Sequence, residues 1–320
     1  MKTNQMRRRK TFLIIIFTIG LLFGYPKAYY SIVNRKYDTE MKKLQETGKL
    51  NFNIIANIEQ KTIEKGGNSI HYFVSGAKTG ETIVFVHPAF GDHRCFNKQI
   101  DCFSHDFRVI TIDMLGHGLT GTGKSGGDIS ETYIHIDSIL AQEKIENAHI
   151  VGVSLGSLIA QYFALKYPEK VLSLTVLGGY NINKEQKEVI KAQQKEMFKW
   201  LFKMIFSMDA FRRYTSSVTL IDNVEQAHFY ESAKLFTRKS FTVMTGLDKL
   251  IANRFVQRNY PLLILAGEKD TELAIKAAEQ WHRDDPESQM QIIENAGHCA
   301  NMDNSARFNE ILMAFLTDKK

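Results

Sequence analysis

The chain has 320 residues, 44% of them apolar and 24% charged, enough to bury one large core and unlike a disordered polymer. Its formal charge of +6 is uneven: eleven Lys and Arg against three acids make the first 50 residues +8 and leave the other 270 at −2. A folded part without basic excess leaves no basis for a nucleic-acid partner, and three cysteines without a Cys-x-x-Cys pair leave none for a zinc site or a redox dithiol.

At the amino end, Arg7-Arg8-Arg9-Lys10 precede an uncharged stretch, Phe12 to Tyr25, dominated by Leu, Ile and Phe. Basic residues stay on the cytoplasmic side of a membrane, so the chain beyond this stretch is expected outside. As a helix this stretch reaches about 21 Å, short of a hydrocarbon core near 30 Å. Continuing it to Val33 spans the core but includes Pro26 and Lys27, whose ammonium must snorkel. No small-x-small cleavage site comes after it. Residues 1–33 are therefore expected to be a basic tail and an uncleaved, single-pass membrane anchor. A cleaved signal peptide and secretion is the alternative. Residues 34–50 are charged, lack a strong apolar stripe and read as a spacer, ahead of a folded domain over 51–320.

Within that domain, Ile54 to Glu64 and Ser69 to Ser75 read as paired strands around the turn Gly66-Gly67-Asn68. Short apolar runs come next at Thr82 to His87, Arg108 to Met114, Ala148 to Val153, Val171 to Leu177 and Pro261 to Ala266, and Gln289 to Glu294 reads as a last strand after them. Such runs suit strands buried on both faces. Helical patterns fill the gaps at Ser130 to Glu146, with Ser130 as the cap, and at Ser154 to Tyr167, Thr271 to Arg283 and Ser305 to Leu316. Alternation of this kind predicts an α/β fold, a mostly parallel sheet flanked by helices, with loops at the strand carboxyl ends carrying the site. Residues 181–259 break the alternation with helix formers and no strand, and predict a helical cap inserted between the sixth and seventh strands. Cys95 and Cys102 could pair outside the cytoplasm, although buried or free thiols are the plain reading.

The chemistry lies in Gly152-Val153-Ser154-Leu155-Gly156, between an apolar strand and a helix. A Gly-x-Ser-x-Gly there is a nucleophile elbow, its glycines allowing a turn that lifts the hydroxyl clear of the backbone. Gly267-Glu268-Lys269-Asp270 and Ala296-Gly297-His298 lie downstream. With His87-Pro88-Ala89-Phe90-Gly91 after the third strand and Asp113-Met114-Leu115-Gly116-His117-Gly118 after the fourth, the stretch Thr62 to Leu316 resembles the α/β-hydrolase family, all four segments standing in the family's order. The departures are Pro88 for the usual Gly, which stiffens the loop, and Ser157 after Gly156, where a further Gly is common.

The resemblance implies Ser154 as nucleophile, His298 as base, Asp270 as the acid that orients it, and an oxyanion hole from the amides of Ala89 and Leu155. Glu268 competes with Asp270 for the acid role. His87, Asp113 and His117 are expected to brace the loops near the site rather than react. His71, His93, His105, His228 and His282 stand without ligand-like partners and are given no special role. The implied activity is a cofactor-free, metal-free serine hydrolase, esterase- or lipase-like, acting on a small-molecule or lipid-like ester with an apolar acyl part. C–C bond hydrolases, amidases, peptidases and cofactor-free haloperoxidases share the motifs and remain open, and a non-catalytic binding module on the same fold is the reading from a different class.

Two other patterns carry possible functions. Gly118 to Ser125 fits the phosphate-loop pattern, but Gly126-Gly127-Asp128 stand where that loop needs a helix to begin. In the cap, Lys191, Lys195, Lys199 and Lys203 form a basic stripe, and Phe198, Leu201, Phe202, Ile205 and Met208 cover the other side. The plain reading packs this apolar face on the domain. The sharper one has it line an acyl pocket or lean on an anionic membrane.

Overall fold

The computed structural model describes residues 31–32, 35–43, 58–122, 126–252 and 257–318. The expected basic tail and the uncharged stretch Phe12 to Tyr25 lie outside the described residues. Among the described residues no helix is long and apolar enough to cross a membrane.

Eight strands form one sheet: β1 (Glu59–Lys65), β2 (Asn68–Gly76), β3 (Thr82–Val86), β4 (Arg108–Ile112), β5 (Ala148–Val153), β6 (Val171–Leu177), β7 (Leu262–Gly267) and β8 (Gln289–Ile293). Their spatial order is β1-β2-β4-β3-β5-β6-β7-β8. β1 and β2 form the expected hairpin, and β2 joins β4 antiparallel. From β4 to β8 every pairing is parallel. The central strands are buried throughout, as their unbroken apolar runs require. Alternation sorts β3 between two cores: Val84 and Val86 join one with Ile110, Ile150 and Phe163, while Ile83 and Phe85 join the other with Phe96, Phe103 and Phe308.

Helices Thr132–Gln142, Leu155–Lys166 and Glu272–Asp284 contribute to the first core, and Asn97–Phe103 and Ser305–Thr317 to the second. The helix Asn97–Phe103 had no signature in the sequence. Asp128, not Ser130, starts the segment ahead of Thr132–Gln142: its carboxylate accepts from the Ser130 amide at 3.0 Å. The last three residues of the phosphate-loop match, Gly123 to Ser125, lie outside the described residues, and residues 126–128 after them are not helical, where that loop needs a helix.

Between β6 and β7 the chain builds helices Lys187–Phe206, Met208–Thr219 and Asn223–Ala233 and two short 3-10 turns, without a strand among the described residues. Ser207 breaks the first two apart. It is extended (φ −157, ψ 116), and its side chain caps the second helix through Ala210 N–H. Met208 is thereby buried in the second helix. The rest of the apolar face assigned to it in the sequence is not: Phe198 and Phe202 are 68% and 65% exposed, and the helix Lys187–Phe206 has no buried residue. The plain expectation that this face packs on the domain is therefore wrong. The stretch read as a spacer is helical over residues 35–43, and Tyr37 donates to the Lys234 carbonyl at 3.1 Å.

Candidate active site

Ser154 stands between β5 and the helix Leu155–Lys166 with φ 54 and ψ −116, a conformation that L-residues avoid. The neighbouring glycines make it possible. A Cβ on Gly156 would lie 2.1 Å from the Val86 carbonyl oxygen, and one on Gly152 would lie 2.3 Å from that of Gly156. Backbone bonds then lock the turn, with Ser154 N–H donating to Leu177 O at 2.8 Å and Ser157 N–H to Ser154 O at 2.9 Å. The Ser157 hydroxyl donates to the same carbonyl at 2.6 Å, so the residue that departs from the family's usual Gly braces the elbow.

Two loops at the far strands bring the partners. Lys269 N–H donates to Ala296 O at 2.8 Å, joining the loop after β7 to the loop after β8. His298 Nε2 lies 2.8 Å from Ser154 Oγ, and His298 Nδ1 lies 2.7 Å from Asp270 Oδ2. Residues 28 and 144 positions apart in the chain thus form one hydrogen-bonded line. Glu268 is turned away and accepts from the Asn295 amide at 3.1 Å, which decides between the two acids. The Asp270 side chain is 3% exposed and the His298 side chain 26%, so the carboxylate is dry while the imidazole opens to a substrate. Burial disfavours the imidazolium, but the Asp270 charge and hydrogen bond outweigh it and hold the His298 pKa above its ordinary value.

Leu155 opens its helix, so its N–H has no intrahelical acceptor and lies at the positive end of the helix dipole. Among the described residues neither this amide nor that of Ala89 donates to another protein group. His87, fully buried, shapes the Ala89 loop. Its Nε2 accepts from Met114 N–H at 3.1 Å, so Nδ1 carries the proton and donates to the Pro88 carbonyl at 2.8 Å. Burial pushes its pKa down, consistent with a neutral bracing ring.

A family model described as alpha/beta hydrolase fold matches residues 81–210. A Bacillus subtilis protein provisionally assigned as 2-succinyl-6-hydroxy-2,4-cyclohexadiene-1-carboxylate synthase is 27% identical over 268 residues, 78% of this chain and 96% of its own length. The 2-hydroxy-6-oxononadienedioate/2-hydroxy-6-oxononatrienedioate hydrolase of Paraburkholderia phymatum is 25% identical, over 77% of this chain and 90% of its own. Carboxylesterase CesB of Bacillus subtilis superposes with a TM-score of 0.68 at 16% identity, covering 89% of this chain and all of its own. The chain is an enzyme with the α/β-hydrolase fold.

The remaining expected site residues, Asp113 and His117, lie in the loop after β4. Asp113 is fully buried and accepts from His93 N–H at 2.8 Å, His93 Nδ1 at 2.9 Å and Leu119 N–H at 2.8 Å. Burial opposes its charge, but His93 holds its pKa below the ordinary value. Among the described residues the His117 ring bonds only the Leu115 carbonyl, at 3.1 Å, and its Nε2 has no partner. Burial, with His87 beside it, pushes its pKa down to about 3, so it stays neutral. His93, given no role in the sequence, is the Asp113 partner and stacks on Phe73. Asp92, His93 and Asp113 are close enough to share a cation. Their ligand atoms are already engaged, however: Asp92 binds the Arg94 guanidinium, and Asp113 binds His93. A built-in positive charge at Asp92 does not fit a metal site.

Two functional neighbours had no sequence signal. Asp303 accepts from Gly297 N–H at 2.8 Å, from Ile221 N–H at 3.1 Å and from Asp222 N–H at 3.0 Å. One carboxylate thus joins the loop bearing His298 to the cap loop above it. Phe90, beside Ala89, has φ 70 and sits in an aromatic cluster, its ring centroid 5.0 Å from those of Trp200, Phe211 and Phe236. The cap therefore grips the Ala89 loop directly. The three cysteines are free thiols, Cys95 and Cys299 buried.

Proposed function

We propose that this enzyme hydrolyses carboxylic esters with an apolar acyl part, through an acyl-enzyme on Ser154. The observation that carries the reading is the line Ser154 Oγ, His298 Nε2, His298 Nδ1, Asp270 Oδ2 at 2.8 and 2.7 Å. A serine hydroxyl is a poor nucleophile until an imidazole takes its proton. His298 removes that proton as Oγ attacks the ester carbonyl, then donates it to the leaving alcohol. Asp270 holds the Nδ1 proton and stabilises the imidazolium. The amides of Leu155 and Ala89 receive the oxyanion, each such donor being worth about 3 kcal/mol of barrier. Water, activated by His298, then frees the acid. The aromatic wall around Phe90 supports an apolar acyl group beside that hole.

A second reading, hydrolysis of a C–C bond in a vinylogous diketone, is favoured by the Paraburkholderia phymatum relative, whose name is that of a hydrolase of an oxo-dienedioate. The same serine would attack a ketone, and a carbanion would leave in place of an alcohol. Fluorophosphonate labelling and turnover of graded p-nitrophenyl esters, each run beside Ser154→Ala, test the first reading. Labelling is expected only with Ser154 present, and ester turnover should fall by at least about 10³-fold in the variant. Labelling without ester turnover, but with diketone cleavage, replaces the first reading by the second. A folded protein that does not label favours a binding module.

We further propose that the uncharged stretch Phe12 to Tyr25, behind Arg7-Arg8-Arg9-Lys10, holds the chain in the cell membrane with the catalytic domain outside. Secretion after cleavage is the alternative, and an intact amino terminus in the membrane fraction decides between them.

A further inference from the structure

The helix Lys187–Phe206 is amphipathic in an unusual sense. Its inner side is held by Trp200, edge-on to Phe90, by Glu196, which accepts from the Tyr214 hydroxyl at 2.9 Å, and by Met204 against the core. The outer side of its carboxyl half is apolar. Met197 is 51% exposed, Phe198 68%, Leu201 43%, Phe202 65% and Ile205 37%. Their spacing of three and four residues puts them on one strip. Five lysines against two glutamates give this helix +3 within a folded part of net −2. Other exposed apolar side chains, such as Ile32 and Val224, lie elsewhere, but five on one strip of a basic helix form a contiguous patch of the kind that marks an interaction surface.

The place of the amino-terminal segment says what covers the strip. Arg212 lies over the Tyr37 ring, 4.3 Å from its centroid, and Arg238 and Arg212 face the Asp38 carboxylate. Arg238 also donates to the carbonyls of Met204 and Ile205, both at 3.0 Å, at the end of the exposed strip. The chain therefore leaves the cap beside this strip. Arg35 is only ten positions from Tyr25, at most about 35 Å of extended chain. An uncharged, Leu-, Ile- and Phe-rich stretch is thus tethered within that reach of a row of exposed aromatics flanked by lysines.

We infer that the outer face of helix Lys187–Phe206 rests on an anionic lipid bilayer, with Phe198, Leu201, Phe202 and Ile205 at the depth of the headgroup–acyl boundary and Lys191, Lys195 and Lys199 against anionic headgroups. This rests on the proposed membrane attachment and is independent of the chemistry at Ser154. Lysine on the polar side and bulky apolar residues on the other are the composition of in-plane interfacial helices, which sink about 5–10 Å into that boundary.

The test uses the full chain carrying Phe202→Trp, bound to phosphatidylcholine–phosphatidylglycerol vesicles with acyl chains brominated near the headgroup. Flotation reports attachment, fluorophosphonate labelling reports an intact elbow, and the added indole reports the face, with the parent chain's two tryptophans as baseline. Expected are a blue-shifted emission and at least about twofold quenching of the added indole, both reduced by Lys191→Glu, Lys195→Glu and Lys199→Glu together. A floating chain whose added indole is unquenched overturns this inference while leaving attachment standing. A chain that does not float overturns both. A blue shift that needs no lipid and grows with protein concentration assigns the face to a second copy instead. Quenching unchanged by the triple substitution overturns the anionic contact.

Discussion

His298 carries two opposing demands. As the proposed base it must be neutral to accept the Ser154 proton, yet Asp270 at 2.7 Å favours its charged form and raises its pKa. Below that pKa the ring already holds a proton and cannot act as base; above it the ring is free. The acid limb of kcat/KM should therefore have its midpoint above about 6.5, the ordinary histidine value. In Asp270→Asn the limb should move to lower pH and kcat should fall by roughly 10³- to 10⁴-fold. A limb that stays in place in that variant would show that Asp270 does not set the charge of the base. The meeting of Ser154, Asp270 and His298 was legible because each sits in a short motif with a fixed order. Asp303 and His93 were not, because a carboxylate or an imidazole that bonds backbone amides or a buried partner needs no motif. Only the meeting of Gly297 with Ile221 and Asp222 gives Asp303 its place.

At the scale of the element, the buried strands were the most readable part of the chain. β5 and β6 run over Ala148–Val153 and Val171–Leu177, as their apolar runs predicted, because strands covered on both faces leave no room for polar residues. The elbow between β5 and its helix is held by contact as much as by φ. Gly156→Ala would set a Cβ 2.1 Å from the Val86 carbonyl. Relief requires β3 and the helix to part, so a loss of about 2 kcal/mol or more is expected. Thermal unfolding should show it, and fluorophosphonate labelling should drop with it. Parental stability and labelling would mean that the elbow is looser than this contact implies. The cap was harder to read. Its stripe of lysines and aromatics predicted an amphipathic helix correctly but not which way the aromatics face, since Trp200 and Met204 also fit an apolar inner side.

Over the whole molecule, the cap links three distant parts. Phe90 ties it to the Ala89 loop, Asp303 to the loop bearing His298, and Tyr37 with Asp38 to the amino-terminal segment. The last link pairs a ring with Arg212, whose guanidinium is buried and donates to the carbonyls of Ala233 and Phe236. Such a cation–ring contact is worth about 1–2 kcal/mol when desolvated. In Tyr37→Ala, hydrogen exchange in helices Met208–Thr219 and Asn223–Ala233 should lose about 1 kcal/mol of protection while β3, β5 and β6 keep theirs. Equal protection in both proteins would show that the segment adds nothing to the cap.

The linear chain by itself determined the α/β alternation, the elbow, the order of Ser154, Asp270 and His298, and a helical insertion between β6 and β7. These come from local patterns: period, turn chemistry and short motifs carry their own physical reasons. The tertiary structure alone decided that Asp270 rather than Glu268 reaches His298, that His93 pairs with Asp113, and that the aromatics of helix Lys187–Phe206 face outward. Each of those is a choice between chemically similar groups, and only the position of a partner far away in the chain can make it.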